Sequence, residues 1–304
     1  MPSPLGRVRD AVAVACPQGA PAGSTCTQIT VVDCPTIETE AIEATLAVLP
    51  AAGAQRGTIV HLKGGGGEGW ETIGTDEYRA AGFVQIYVSW TTDWEQTASH
   101  GIKTAACRPA TTLQYIFDEL HTGARTAPYC AQGKSGGSGQ LGYALAHYGA
   151  GSILDYVNEL AGPPFSRIDL GCDGDAPATA EVCGDTVTTR LPDKLTAWEN
   201  MTVSCGSTNV PVDELARWKA DSIAVGGTYQ YPQTRVEFFD CMYNAPAVAA
   251  FSKVYFDEVA LATGDDGLVG YHCYHQSDRC QGESLGAGEP VAIQSMIDGC
   301  TPRH

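Results

Sequence analysis

Residues Gly133-Lys134-Ser135-Gly136-Gly137 form a G-x-S-x-G pentapeptide. A serine hydroxyl becomes a useful nucleophile only with a base beside it and a place for the negative charge it creates. The pentapeptide follows residues 127–132, which read as a strand, and opens residues 141–148, which read as a helix stopped by Gly149 and Gly151. That context is the one a nucleophile elbow requires: a tight strand-to-helix turn, small residues two before and two after the serine, and a helix N-terminus behind it. A second motif, Gly64-Gly65-Gly66-Gly67, directly follows a short apolar run at residues 57–62. Four consecutive glycines cost more chain entropy than a casual turn requires. A backbone N–H of this loop, from Gly65 or Gly66, together with that of Gly136, would form an oxyanion hole.

The elements that must carry these motifs alternate in type. Residues 25–33 and 41–49 alternate in polarity and read as a pair of strands, while residues 83–90 (FVQIYVSW) read as a buried strand. Residues 104–121 carry Leu113, Ile116, Phe117 and Leu120 at helical spacing. Residues 152–161 hold a strand before the break Gly162-Pro163-Pro164. Residues 166–232 differ, with three cysteines, many Thr and Asp, and short helices expected around 195–198 and 212–218; they read as an insertion placed like a cap. Order returns with a strand at 235–239, a helix at 246–262, a strand at 267–274 and a helix at 290–298. The opening, to about residue 20, has weak periodicity, and no internal repeat is visible. Alternating strands and helices imply a mainly parallel sheet covered on both faces, with its site at the carboxyl ends of the strands.

HLKGGGGEGW at 61–70, CAQGKSGGSGQLGYALAHYG at 130–149 and GPPF at 162–165 together resemble the α/β-hydrolase family, and within it the secreted, disulfide-containing esterases. The resemblance implies one α/β domain over residues 1–304 and a Ser, acid, His order along the chain. Ser135 carries over directly. Lys134 stands before it, where the family more often has His, Tyr, Phe or Glu. The histidine is expected past the last strand, at His275, with His272 as the alternative because Gly270-Tyr271-His272 mimics a G-x-H ending. The acid is expected at Asp240, the end of the penultimate strand, with Asp169 as the alternative one strand earlier. Trp70, Trp90 and Trp94 follow strand ends near the expected cleft, and Trp70 and Trp90 are candidates for an aromatic wall.

Composition narrows the partners. The formal charge is −17, from 18 basic and 35 acidic residues over 304, so phosphate neutralisation is a poor fit and nucleic acid is not an expected partner. No run is long enough to span a membrane, and the first thirty residues show no signal-peptide apolar core. Twelve cysteines spread along the chain without a paired C-x-x-C point to as many as six disulfides and an extracytoplasmic setting, secreted or periplasmic. Cys172 with Cys183 and Cys273 with Cys280 would close short loops. Asn200-Met201-Thr202 is a glycosylation sequon, relevant only in a eukaryotic host.

Other chemistries fit less well. Gly133-Lys134-Ser135 ends like a phosphate-binding loop, but Pro128 stands where that motif needs glycine. Gly64, Gly66 and Gly69 satisfy G-x-G-x-x-G, yet the next strand ends Val88-Ser89-Trp90 without the ribose-binding acid. His272 and His275 on one strand would face opposite ways, which is wrong for a shared zinc. The expected function is therefore a monomeric, cofactor-free serine hydrolase of small or polymeric carboxylic esters, polyesters included, working through an acyl-enzyme. A non-catalytic binding protein on the same fold, or a serine peptidase, is the alternative.

Overall fold

The structure is a computed structural model, and it describes residues 1–97, 100–121, 126–175, 179–188, 204–242, 246–264, 267–281 and 284–303. Among these, nine strands make one sheet: β1 (Arg7–Val14), β2 (Thr25–Val32), β3 (Ile42–Leu49), β4 (Gly57–Leu62), β5 (Phe83–Trp90), β6 (Tyr129–Lys134), β7 (Tyr156–Leu160), β10 (Arg235–Cys241) and β11 (Val269–Tyr274). Their order is β1-β2-β3-β5-β4-β6-β7-β10-β11. The first three form an antiparallel meander that also meets β5 antiparallel, and every pairing from β5 onward is parallel. A small antiparallel hairpin, β8 (Thr179–Val182) with β9 (Asp185–Thr188), stands apart.

The parallel strands are buried on both faces, as their near-continuous apolar runs demand. One face is covered by α3 (Cys107–Tyr115), α4 (Gly136–Tyr148) and α7 (Pro246–Thr263), which bury Leu113, Leu141, Phe251 and Tyr255 against Val60, Ala131, Val157 and Phe238. The other face takes α1 (Thr75–Ala80) and α8 (Gly288–Gly299), where Asn158 Nδ2 donates to the Ala292 carbonyl at 2.9 Å. The remaining helices are α2 (Ile102–Ala105), α5 (Ile168–Cys172) and α6 (Val212–Asp221). This is the α/β-hydrolase fold with a cysteine-containing insertion between β7 and β10.

Several boundaries differ from expectation. β1 lies in the stretch whose periodicity is weak, because it is exposed along almost its whole length and needs no apolar alternation. The helix expected at 104–121 divides into α2, α3 and a wider π-helical turn at Ile116–Leu120. The insertion carries α6 where a short helix is expected, whereas the one expected around 195–198 and the Asn200 sequon lie outside the described residues. That insertion is anchored rather than hinged at its far end: the Asp221 carboxylate accepts the Ile102 and Lys103 N–H groups at 2.7 and 3.0 Å, and Tyr143 Oη donates to its carbonyl.

All twelve cysteines are paired, as Cys16–Cys26, Cys34–Cys107, Cys130–Cys300, Cys172–Cys205, Cys183–Cys273 and Cys241–Cys280. The two short loops expected from the sequence are both wrong. Cys183 sits on the tip of the β8–β9 hairpin against β11, so its partner is Cys273 from another element. No helix among the described residues is long and apolar enough to cross a membrane.

Candidate active site

The sheet order reverses beside β4. The chain leaves β4 for β5 on one side and later returns to place β6 on the other, so a crevice opens at the carboxyl ends of β4 and β6. The two glycine motifs stand there. Ser135 separates β6 from α4 with φ 53° and ψ −117°, a conformation that a residue with a side chain rarely adopts. The turn is pinned through its backbone: the Ser135 N–H donates to the Leu160 carbonyl at 2.8 Å, and its carbonyl accepts from Gly139 N at 3.1 Å and Ser138 Oγ at 2.5 Å. A side chain at Gly133 would collide with the Gly137 backbone, and one at Gly137 would collide with the Leu62 carbonyl. The small residues two before and two after the serine are thus explained by strand, helix and loop meeting at backbone distance. Ser135 is half-buried, and among the described residues no hydrogen bond engages its hydroxyl.

The glycine loop is packed onto this elbow. A Cβ at Gly64 would lie 2.8 Å from the Lys134 carbonyl oxygen and 3.3 Å from Ser135 Cβ. Gly65 has φ 61°, which favours glycine, and a Cβ on Gly66 would strike the Asp93 carboxyl at 2.6 Å. The loop's outward carbonyls are occupied: Trp94 N–H donates to Gly66 O and Trp90 N–H to Gly67 O, each at 3.1 Å. Gly136 heads α4, so its N–H has no acceptor within the helix. A Cβ there would overlap Gly65 O and approach Gly65 N at 2.9 Å, so the two backbones touch. Gly136 and Gly65 are thus in backbone contact, Gly64 lies against Ser135, and Gly66 is packed on Asp93.

One residue here has no counterpart among the expectations. Gln140, buried on α4, accepts from Trp90 Nε1 at 3.0 Å and donates to the Lys63 carbonyl at 3.3 Å. It ties the helix behind Ser135 to the strand leading into the glycine loop. A polar residue on a helix face that is otherwise apolar is the signal that could have found it. Trp90 is 2% exposed, and Trp94 is fully buried. Trp70 packs on the cluster of Cys26, Ala47, Leu49 and Tyr87. The aromatic wall expected of Trp90 is corrected by its burial: its ring lies beneath Gly67 and supports the loop from inside.

The histidines and acids are placed less simply. His275 follows β11 directly, half-exposed, with its backbone N–H donated to Asp278 Oδ2 at 2.8 Å and its Nδ1 4.0 Å from Asp185 Oδ2. His272 lies within β11, stacked on Phe239 at 4.4 Å, with Nε2 2.7 Å from Glu237 Oε2. Glu237 is buried, and although burial alone raises its pKa, His272 and Arg235 outweigh that and hold the carboxyl below its ordinary value. The His272 ring is therefore engaged with Glu237 on the sheet face that α8 covers. Asp169 is clasped by Arg167 at 2.8 and 2.7 Å.

Asp240 stands near the end of β10, as expected, but points to the opposite face from Phe239 and His272. It is 1% exposed, and neither oxygen completes a hydrogen bond of good geometry. Burial pushes its pKa up to about 7, opposed by the polar groups around it, Ser252, Tyr271 and the Gly162 N–H. Glu159, on the adjacent strand, is fully buried and raised too, by desolvation and then by Asp240. Among the described residues the structure joins Ser135 to the glycine loop and His275 to Asp185. It places no hydrogen bond or ion pair between Ser135 and His275, or between Asp240 and either histidine.

No protein-family profile matches this chain, and no curated protein matches it in sequence. Solved structures match its fold. Est1E from Butyrivibrio proteoclasticus superposes with a TM-score of 0.55 at 10% identity, covering 91% of this chain and 99% of its own. A bacterial heroin esterase gives 0.55 at 12% identity, with 92% of this chain and 85% of its own covered. A puromycin-hydrolyzing peptidase from Mycobacterium tuberculosis gives 0.55 at 11% identity; 91% of this chain spans 45% of that one.

Proposed function

We propose that this α/β-hydrolase fold carries a serine hydrolase of carboxylic esters, with Ser135 as nucleophile. The observation that carries the reading is the Ser135 backbone at φ 53° and ψ −117°, held between β6 and α4 with the glycine loop against it. Such strain persists only where the surroundings impose it, and here it falls on a half-buried serine at the carboxyl end of β6. Ser135 Oγ attacks the acyl carbon while His275 takes its proton. The oxyanion sits on the N–H groups of Gly136 and of Gly65 or Gly66. Collapse expels the alcohol, protonated by His275, and leaves an acyl-enzyme that water cleaves with His275 again as base. β6 and β11 are three strand steps apart, about 14 Å. The imidazole must therefore reach inward over the carboxyl ends of β7 and β10, in a contact that substrate binding tightens.

Asp240 is buried beside Ser252 and Tyr271, and among the described residues no hydrogen bond or ion pair joins it to His275. Six disulfides support an extracytoplasmic setting, where such bonds persist. Hydrolysis of p-nitrophenyl esters from acetyl to palmitoyl, by wild type and Ser135→Ala, tests the reading. The variant should lose roughly 10⁴- to 10⁶-fold in kcat. Turnover within tenfold of wild type would remove Ser135 from the chemistry. A non-catalytic binding role is the second reading, favoured by the absence of a Ser135–His275 contact. Labelling of wild type but not Ser135→Ala by a fluorophosphonate separates the two, since only an activated serine reacts. Substrate class, ester or amide, follows from parallel assays on matched anilides.

A further inference from the structure

The β8–β9 hairpin is turned by Cys183 and Gly184, at φ 58° and 87°, with Val182 paired to Asp185. Two consecutive positive φ values make the tight turn whose twist suits a hairpin. Its tip is bonded by Cys183 to Cys273 of β11. Asp185 lies two residues after Cys183, and His275 lies two residues after Cys273. The disulfide thus sets two short arms side by side, one ending in a carboxylate and the other in an imidazole. The hairpin's position is fixed independently by Val182 and Val187, which pack on Ala249 and Ala250 of α7. The imidazole atom that faces Asp185 is Nδ1, at 4.0 Å, which leaves Nε2 free for a serine hydroxyl. His272 offers the reverse, with Nε2 already on Glu237.

We propose that Asp185, delivered by the insertion's hairpin and the Cys183–Cys273 disulfide, is the positioning carboxylate for His275. The inference rests on the hydrolase reading above, in which His275 is the base. It assigns the orienting acid to the insertion and makes the base's alignment depend on one disulfide. Other charged groups near the imidazole are Asp278, which holds the His275 backbone, and Arg279 beside it in the same loop. On α7, packed against β11 and the hairpin, Lys253 and Asp257 pair with each other. Glu237 and Arg235 are engaged with His272 on the far face.

Two readouts on the full chain test this. The first is the ring-nitrogen NMR signature of His275, assigned with His275→Gln, in wild type, Asp185→Asn and the double variant Cys183→Ala/Cys273→Ala. A carboxylate facing Nδ1 holds the neutral ring's proton there, so wild type should show the Nδ1–H tautomer and both variants should lose that preference. The second is steady-state ester hydrolysis: kcat should fall about 10²- to 10⁴-fold in Asp185→Asn with KM little changed, and Asp185→Glu should recover most of it. Glu181→Gln, a charge change elsewhere on the hairpin, should leave both readouts at wild-type values. An unchanged His275 tautomer in Asp185→Asn overturns the proposal, as does a kcat within tenfold of wild type. Undiminished hydrolysis by Ser135→Ala, or no ester turnover by wild type, instead overturns the hydrolase reading beneath it.

Discussion

Asp240 shows how far a strand position alone can be trusted. It stands at the end of the penultimate strand, where an acid is expected, yet its side chain enters the core beside Ser252 and Tyr271. A carboxyl raised to about 7 by burial, without a cation beside it, is a poor electrostatic partner for an imidazolium. Asp240→Asn should therefore cost no more than about tenfold in kcat, against the roughly 10⁴-fold loss seen when a triad acid is replaced by its amide. Steady-state kinetics on a short-chain ester at neutral pH measures the difference. A loss near the larger figure would return the acid's role to Asp240.

The glycine loop and the head of α4 act as one element, because each residue's lack of a side chain is used by the other. Gly136→Ala would place a methyl group against the Gly65 backbone. By pushing the two backbones apart it should misplace their N–H groups and lower kcat, by up to the roughly 10²- to 10³-fold that losing one oxyanion donor costs. It should also destabilise the fold by about 1–3 kcal/mol through overpacking. Activity and thermal melting together check both, and an unchanged kcat with a lowered melting point would confine Gly136 to packing. This element was legible in the sequence because glycine spacing reports backbone contact directly, and the buried strands were legible through their apolar runs. β1 was not, since an exposed edge strand carries no burial pattern. The β8–β9 hairpin was not, since Cys183-Gly184 lacks the Asn-Gly signature of its turn and its strands are short and polar. His275 was placed by its strand end, but its neighbour Asp185 comes from a segment whose position depends on a disulfide, and pairing cannot be read from cysteine spacing.

At the scale of the whole molecule, buried ionisable groups pull stability in opposite directions with pH. Desolvation lowers His61 from 6.5 to about 3 and His147 to about 4. Their contribution is complete above the unfolded value and is lost as pH falls through that range. Asp240 is raised from 3.8 to about 7, and Glu159 is raised as well, so their contribution is complete at low pH and is lost as pH rises toward about 7. Asp221, raised to about 7, and Glu95, raised by desolvation, act in the same direction as Asp240, so these carboxyls favour a lower melting temperature as pH rises from about 4 to about 7. Asp240→Asn removes one falling term, so its melting temperature should gain on that of wild type as pH rises through this interval. Parallel curves for the two proteins, from melts at a series of pH values, would show that Asp240 is not charged against its will in the native state.

The Cys130–Cys300 bond joins the strand that presents Ser135 to the end of α8, and it encloses the insertion and three further disulfides. A protease that cuts anywhere between those two residues opens the backbone without separating the pieces. A nicked chain would therefore migrate as one species on a non-reducing gel and as two after thiol treatment. Wherever the disulfide persists, a surface scission becomes a scar that the molecule carries rather than a loss of half of it.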